Sequence, residues 1–258
     1  MTTDPQLPVD KFCWQPNVKL ALLVAFLLPS LIVLGFWQLS RADEKRAIVA
    51  HFDRNQQSKP ALVGDLSGTA DMQYRLAWLR GELDPKRRIF LDNRVRHNRP
   101  GYEVLEVLTL EDSGVRVLVN RGWVAAPLDR NKLSTVVSVS GSAQFRGFLY
   151  RNLPGSFILD DGVTVPDDWP VRLGWISVER ASAVFQQLFY DYQLRLDRDS
   201  PGALETGWPT VAVQPEKHTA YAVQWFTMAA VLVVMAVSAM SNLTSWLAAF
   251  LQRVQNER

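Results

Sequence analysis

Residues 20–39 read LALLVAFLLPSLIVLGFWQL, an uncharged stretch bounded by Lys19 and Arg41. At a rise of 1.5 Å per residue, about 20 helical residues cover the roughly 30 Å of bilayer hydrocarbon. Pro29 is tolerated in such a helix, because neighbouring groups satisfy the carbonyl that it frees. The run is too long for the apolar part of a secretory signal peptide, and its end, GFWQL, is a poor cleavage site. We therefore predict a transmembrane helix over residues 20–39.

A second apolar stretch, residues 221–240, reads YAVQWFTMAAVLVVMAVSAM. Soluble domains of this size rarely contain a helix that is apolar on every face, and Tyr221 and Trp225 stand where interfacial aromatic residues do. We predict a second span over residues 219–240. Beyond it, apolar residues recur at helical spacing, which leaves two alternatives: an amphipathic helix on the membrane surface or a continuation of the span. These residues are Leu243, Trp246, Leu247, Phe250, Leu251 and Val254.

Two spans return the chain to the side on which it began. Lys11 and Lys19 precede the first span, and Arg253 and Arg258 follow the second. The positive-inside rule therefore predicts a cytoplasmic tail over residues 1–19 and a cytoplasmic amphipathic tail over residues 241–258. Basic residues at 41, 45 and 46 oppose this orientation, but long segments are translocated largely regardless of charge. Residues 40–218 are accordingly predicted to be periplasmic, or to face the intermembrane space in a mitochondrial protein.

The region between the spans has the pattern of a β domain. Residues 40–52 (SRADEKRAIVAHF) favour helix and should extend the first span, and residues 181–189 predict a short helix. Strand-like runs, separated by turn signals at 84–85, 98–101 and 111–114, are RLAWLRGEL, RRIFLDN, YEVLEVLTL, VRVLVNRGWV, SAQFRGFLY, LGWISV and YQLRLDR. The predicted fold class is a membrane protein in which two transmembrane helices flank a mostly antiparallel β (α+β) extracytoplasmic domain.

Composition excludes several classes of function. Lys and Arg number 28 against 26 Asp and Glu, so the chain lacks the basic excess of a nucleic-acid-binding protein. The single cysteine, Cys13, excludes an internal disulfide framework and a zinc or copper site built on a cysteine pair. No nucleophile elbow, P-loop, dinucleotide fingerprint or HExxH is present, which argues against an enzyme. The pairs Asp160–Asp161 and Asp167–Asp168 lie beside Gly and Pro and are typical of solvated turns.

Of the three histidines, His218 has a distinctive setting. His51 and His97 lie in charged surroundings and are expected to be solvated. His218 directly precedes the second apolar stretch, and Tyr221 and Trp225 follow at i+3 and i+7 on the same helical face. Two interpretations are open: an iron ligand on a face that holds a flat aromatic group such as haem, or an interfacial cap that contacts lipid headgroups. The residues alone favour the cap.

The block Asn120-Arg121-Gly122-Trp123 ends a strong strand. Gly122 permits a turn or bulge and Trp123 is suited to a core, so the residues alone favour a structural role. The alternative is a partner-binding role for Arg121 and Trp123, with Arg121 pairing an acidic partner or a propionate.

Four blocks together carry a family resemblance: GFWQLSRADEKRA, LDNRVRHNRPGYEVL, VLVNRGWV and HTAYAVQWF. In order and spacing, from about residue 35 to about residue 235, they resemble the Surfeit-locus cytochrome oxidase assembly proteins, the Surf/Shy family. The family usually shows an Asn-rich approach to the histidine of the last block, whereas this chain has Pro215-Glu216-Lys217 before His218.

The resemblance implies a non-enzymatic assembly factor of the inner membrane that binds haem a and aids its insertion into the catalytic subunit of a haem–copper cytochrome c oxidase. The proposed iron ligand of the family maps onto His218, with Tyr221 and Trp225 beside it. Implied partners are that subunit, other oxidase assembly factors and membrane lipid, with haem a synthase as a further candidate. The alternative is a structural scaffold that stabilises an oxidase assembly intermediate without binding haem.

Overall fold

The computed structural model describes residues 12–62, 71–129, 131–152, 168–211 and 213–256. In chain order the elements are helix α1 (Val18–Gln56), strands β1 (Leu76–Arg96), β2 (Arg99–Leu110), β3 (Arg116–Ala125), β4 (Ser142–Tyr150) and β5 (Val171–Leu173), helix α2 (Val178–Phe185), strand β6 (Gln193–Leu196), and helices α3 (Pro215–Ala239) and α4 (Leu243–Asn256). The chain divides into two compact units. The helical unit comprises Met1–Ile48 and Val211–Arg258, and the sheet unit comprises Val49–Thr210.

Helices α1 and α3 are both long and apolar enough to cross a membrane. Each contains one of the predicted spans, and α1 continues without a break through residues 40–52, as expected. Only 6% of the most apolar window of α1 and 17% of that of α3 is buried within the chain. Apolar helices that leave most of their surface uncovered lack the burial of a soluble core helix.

Within the helical unit, α1 and α3 lie antiparallel with small residues between them. At one end the backbone N–H of Gln15 donates to the carbonyl of Met240 at 2.6 Å. Further along, the rings of Phe36 and Phe226 meet edge to face at 5.3 Å, and a Cβ on Gly35 would lie 2.6 Å from the Phe226 ring. Glycine at this point is what allows the ring to approach the α1 backbone.

The segment after the second span forms a separate helix. Helix α3 ends at Ala239, residues 241–242 depart from helical geometry, and α4 begins at Leu243. The side-chain oxygen of Asn242 accepts a hydrogen bond from the backbone N–H of Cys13 at 2.7 Å, which holds the connection against the start of the chain. The continuation alternative is therefore wrong, and the location of α4 on a membrane surface stays a prediction.

The sheet of the second unit closes on itself. Its order is β2-β3-β6-β4-β1-β5, and β2 also pairs with β1, so five strands form a ring with β5 attached outside it. Among the strand pairs of the described residues, β3–β6 and β1–β5 are parallel and the others are antiparallel, which confirms the mostly antiparallel α+β class. A closed ring leaves few unpaired strand edges.

The predicted break at Asp84-Pro85 is wrong, because β1 runs through it as one strand. Its first part pairs with β4 over Leu76–Glu82, and its later part pairs with β2, with a register shift between Asp84 and Ile89. Proline has no N–H to give to a ladder, and a bulge is where a strand tolerates it. The bulge also bends β1, so that one strand can pair with β4 in its first part and with β2 in its later part and thereby close the ring.

Turn and helix boundaries differ from the sequence predictions in two places. The β1–β2 turn is the left-handed pair His97 (φ 48°) and Asn98 (φ 58°), so Arg99–Gly101 belongs to β2. The run LGWISV is a strand only to Leu173, because Ser177 caps α2 by accepting from the backbone N–H of Arg180 at 3.1 Å. Helix α2 therefore spans Val178–Phe185 rather than 181–189.

Alternation along the strands fills the inside of the ring with apolar side chains. This interior includes Leu79, Leu83, Leu108, Val117, Val119, Phe145, Leu149, Leu194 and Leu196. A second cluster lies outside, where α2 packs Val184 and Phe185 over Ile89, Leu105 and Leu118. The strands β1, β2 and β3 are thus buried on both faces, which accounts for their nearly continuous apolar character.

Candidate functional site

His218 is the fourth residue of α3, which begins with Pro215 at its first position. Its Nδ1 lies 2.8 Å from Oε1 of Gln38, in α1. An amide oxygen only accepts hydrogen bonds, so this contact places the imidazole proton on Nδ1. In a neutral imidazole with its proton on Nδ1, the other ring nitrogen, Nε2, carries the lone pair that can bind a metal.

A second cross-helix contact lies beside the histidine. Nη2 of Arg46 donates to Oγ1 of Thr219 at 2.7 Å, and the Thr219 hydroxyl donates in turn to the carbonyl of Pro215 at 3.2 Å. The first turn of α3 is thereby attached to α1 at two consecutive residues. This fixes the helix face on which His218 stands.

The two aromatic residues predicted beside His218 are placed differently from each other. Tyr221 is 54% exposed, whereas Trp225 is half-buried. Both lie on α3 at the expected spacing, but in the described part of the chain no hydrogen bond or ring contact joins either of them to the imidazole. The suggestion that they flank a ligand stays a prediction.

The donor set suits an iron porphyrin better than a bare metal ion. Among the described residues no group of three or more His, Cys, Asp or Glu side chains comes together. A bare ion needs several protein ligands, whereas a porphyrin supplies four nitrogens of its own and needs only axial donors such as imidazole. His218, with Nδ1 engaged by Gln38, offers one such donor.

Arg121 lies inside the strand ring and is 1% exposed. Its Nη1 donates to Oε1 of the fully buried Glu106 at 2.7 Å, its Nε to the carbonyl of Gly202 at 2.7 Å, and its Nη2 to the carbonyl of Val137 at 2.8 Å. Nε of Arg88 donates to the same Glu106 oxygen at 2.6 Å. The acidic partner expected for Arg121 is therefore a residue of this chain.

Trp123 is 5% exposed and its indole N–H donates to the carbonyl of Arg94 at 2.7 Å. Gly122, at φ 120°, follows a bulge in which Arg121 is the extra residue between the pairs Leu105–Asn120 and Val104–Gly122. The block is thus a bulged strand end with two buried side chains, as the structural interpretation predicted. Both side chains are buried within the chain, which favours the structural alternative, and the partner-binding role of Arg121 and Trp123 stays a prediction.

The remaining candidates from the sequence lie apart from this site. His97 is largely exposed and has Nε2 3.0 Å from Oε1 of Glu205, while His51 is half-buried and bonds to Asn55 at 2.9 Å. Of the acidic pairs, Asp168 is exposed, and residues 160, 161 and 167 lie outside the described residues.

Sequence reasoning missed two partners. Gln38 is a polar residue near the end of an apolar span, and such residues generally face another helix, so its position was a usable signal. Glu106 shares its strand face with Leu108 and Leu110, so alternation alone places its carboxylate inside the sheet.

Comparison with known proteins agrees with this architecture. The sequence model of the SURF1 family matches residues 25–230. A SURF1-like protein of Rickettsia bellii is 26% identical over 227 residues, which cover 84% of this chain and 88% of that protein. A SURF1-like protein of Drosophila melanogaster is 26% identical over 224 residues, covering 76% and 69% respectively. The cytochrome oxidase assembly protein SHY1 of Saccharomyces cerevisiae is 29% identical over 122 residues, covering 44% and 31%. The family match includes α1, the whole strand ring and His218, and the chain therefore belongs to the SURF1 family.

Proposed function

We propose that this chain is a non-catalytic assembly factor for haem–copper cytochrome c oxidase. Support comes from its membership of the SURF1 family and from the yeast relative, which is named as a cytochrome oxidase assembly protein. The partners in this proposal are the catalytic subunit of the oxidase, other assembly factors and membrane lipid, with haem a synthase as a further candidate. The location proposed is the inner membrane, with the sheet unit on the periplasmic side.

We further propose that the chain binds haem a through His218 and aids its insertion into the catalytic subunit. The observation that carries this step is the hydrogen bond between Nδ1 of His218 and Oε1 of Gln38, which leaves Nε2 free to donate to iron. Bound haem would supply the iron centre that the oxidase uses for oxygen reduction. Tyr221 and Trp225 follow His218 on α3 and are proposed to contact the porphyrin.

In this proposal, Gln38 and Arg46 hold His218 and the first turn of α3 in place. Gln38 orients the imidazole by accepting from Nδ1 of His218, and Arg46 orients the helix end through Thr219. A single protein donor favours release as well as capture, because a carrier must bind its cargo less tightly than the acceptor does. The proposed role for the helical unit is therefore transient holding.

The second candidate is a scaffold that stabilises an oxidase assembly intermediate without haem. Large apolar side chains on the surface of the sheet unit favour it, notably Leu128, Leu188 and Val137, the last of them 81% exposed. Exposed apolar side chains of this kind can contribute to a protein interface. This candidate requires no role for the His218 imidazole.

A complementation experiment separates the two candidates. In a host lacking its own copy of this protein, the full chain and its His218→Ala variant are expressed, and haem a oxidase activity is measured against the amount of catalytic subunit. Alanine is a good helix former, so the variant should accumulate normally. The haem proposal predicts less activity per subunit with the variant, and the scaffold candidate predicts full activity per subunit.

A further inference from the structure

Arg195 lies in β6 on the outer face of the strand ring, because its neighbours Leu194 and Leu196 both point into the interior. Its guanidinium carbon stands 3.5 Å from the centre of the Tyr150 ring and 5.0 Å from that of Trp208. Two aromatic rings thus flank the planar cation, a common environment for arginine.

The Arg195 guanidinium has aromatic neighbours but no acceptor among the described residues. It makes no hydrogen bond or ion pair with any residue that the structure describes, and its Nε is buried. Burial lowers the pKa of this group, which nevertheless stays charged because arginine titrates far above neutral pH. The side chain as a whole is half-buried, and its Nε is the atom that is buried without an acceptor. A buried polar atom without a hydrogen bond is costly, so such atoms are normally paired.

Two more polar atoms nearby lack partners among the described residues. Tyr74 is 2% exposed, and its hydroxyl is buried without a hydrogen bond, while its ring lies 6.1 Å from that of Tyr150. Gln193, which pairs with Tyr150 across the β4–β6 ladder, has an unbonded Oε1. The cluster therefore offers two unused donors, Arg195 and Tyr74, and one acceptor that a water or hydroxyl can satisfy.

The nearby carboxylate of Glu103 is not a partner for Arg195. Glu103 accepts from Nδ2 of Asn120 at 2.7 Å and lies 3.7 Å from Nε of Arg94, so its oxygens are already engaged. Asn120 is the β3 residue that pairs with Arg195. Among the described residues, no carboxylate therefore pairs with Arg195.

Apolar rings adjoin the cluster on the side of α1. Phe52 packs edge to face on both Tyr74 and Phe148, with ring centres 5.4 Å apart in each pair. Phe148 is the residue opposite Arg195 in β4. A ligand that reaches the cation here meets aromatic surface beside it.

We propose that Arg195, Tyr74 and Tyr150 form a binding site for an oxyanion, a carboxylate or a phosphate, carried on an apolar body. The guanidinium and the Tyr74 hydroxyl donate to the anion, and the rings of Tyr150, Trp208 and Phe148 contact the apolar part. This site lies wholly in the sheet unit and depends neither on His218 nor on haem.

The test measures binding to the purified full chain in neutral detergent. Calorimetric titrations use hexyl phosphate, hexanoate, inorganic phosphate and, as an uncharged control, hexanol. The proposal predicts binding of the charged amphiphiles but not of hexanol. If inorganic phosphate binds as tightly as hexyl phosphate, the ligand is a free oxyanion that needs no apolar body, and the anion site is still supported.

Three variants make the test specific. Arg195→Met removes the charge at similar length, Tyr74→Phe removes only the unbonded hydroxyl, and Arg198→Met alters an exposed arginine nearby as the matched control. Loss of a charge-assisted hydrogen bond should weaken binding about tenfold or more in the first two variants. The control should bind like the wild type.

Thermal unfolding shows whether a variant has lost binding or merely its fold. Without ligand, Tyr74→Phe should unfold no earlier than the wild type, since it removes a buried hydroxyl that has no partner among the described residues. Arg195→Met also loses the contacts of the cation with Tyr150 and Trp208, so it should unfold slightly earlier but still in one cooperative transition. Folded variants that bind hexyl phosphate as tightly as the wild type would overturn the proposal. Absence of binding to the wild-type chain would overturn it as well.

Discussion

At the scale of single residues, Arg121 uses all three of its guanidinium nitrogens inside the strand ring, on Glu106, Gly202 and Val137. Arg121→Ala leaves a buried carboxylate with only Arg88 as a charged partner, and breaking a buried pair costs about 3–5 kcal/mol. We expect the variant to lower the free energy of unfolding by that amount in denaturant titrations of the full chain.

Arg80→Ala is the matched control, because Arg80 pairs with Glu111 at an exposed site. Exposed pairs contribute about 0–1 kcal/mol, so this variant should stay close to the wild type. Normal stability of Arg121→Ala together with reduced oxidase activity would contradict the interior role and restore the partner contact.

Asp71 makes part of the stability of the sheet unit dependent on pH. Burial alone would raise the pKa of this carboxyl, but hydrogen bonds from the backbone N–H of Gln73 and from the Tyr192 hydroxyl outweigh burial and lower the pKa below the ordinary value of an aspartate. A lowered folded-state pKa gives stability that is present above the unfolded value and is lost as the pH falls through the folded value.

Tyr192→Phe removes the donor, and we expect it to cost about 1 kcal/mol near neutral pH. The cost should shrink below about pH 4 as Asp71 becomes protonated in both proteins. The part that remains in acid belongs to the backbone N–H of Met72, which also donates to this hydroxyl, at 3.3 Å. Urea titrations across this pH range measure the difference, and a cost independent of pH would contradict the contribution of Asp71.

Some of these residues were within reach of the sequence. The bulge at Gly122 and the buried position of Trp123 follow from residue type and setting, whereas the haem role of His218 stays a prediction. The pairing of Arg121 with Glu106 could not be predicted from the sequence, because it depends on which strands are neighbours in the ring. Arg195 gave no signal at all, since an arginine that alternates with leucines is typical of a solvated strand face.

At the scale of elements, the bulge in β3 places the Arg121 side chain inside the strand ring, and Gly122 follows at the point where the pairing with β2 resumes. Gly122 has φ 120°, and a Cβ on it would lie 2.8 Å from the carbonyl oxygen of Glu205. Gly122→Ala is therefore both strained and sterically blocked, and we expect it to destabilise the chain by more than about 1 kcal/mol.

Gly114→Ala is the comparison variant, because Gly114 also has a positive φ of 64° but nothing within 4 Å of its Cβ position. It should show only the cost of a left-handed residue, about 1 kcal/mol. The difference in free energy of unfolding between the two variants reports the close approach at Gly122. Equal effects would show that the backbone at Glu205 can move aside.

The strands most accurately predicted are those whose ends carry strong turn chemistry. The Glu111–Gly114 turn was confirmed between β2 and β3, and residues 142–150 form β4 as predicted. Strand β1 was misread because Asp84-Pro85 is a turn signal in isolation, whereas pairing with β2 on both sides of the bulge keeps the strand extended. Ring closure is a non-local property that no single segment encodes.

At the scale of the whole molecule, the chain consists of one apolar helix, the strand ring and a second apolar helix, in that order. We predict that the sheet unit lies outside the cytoplasm. A reporter that is active only in the periplasm, fused after Asn131 in the loop between β3 and β4, should be active. A cytoplasmic reporter fused at the same residue is the control, and activity of that reporter would contradict the orientation.

The membrane part was predictable because span length and hydrophobicity are local quantities. The packing of α1 against α3 was not, since Gln38, Arg46 and Gly35 acquire partners only when the two helices meet. The same limit applies to haem, because an axial ligand can be proposed from one residue but the walls of a porphyrin site come from several elements.

The most direct test of the proposed function is the haem content of purified protein from a host that makes haem a. The absorbance spectrum and the haem-to-protein ratio are compared for the wild type, His218→Ala, Gln38→Leu and the exposed neighbour Lys217→Ala. We predict little haem in His218→Ala, reduced retention with a shifted spectrum in Gln38→Leu, and wild-type behaviour in Lys217→Ala. Haem at the wild-type ratio with an unshifted spectrum in His218→Ala would contradict the assignment and favour the scaffold.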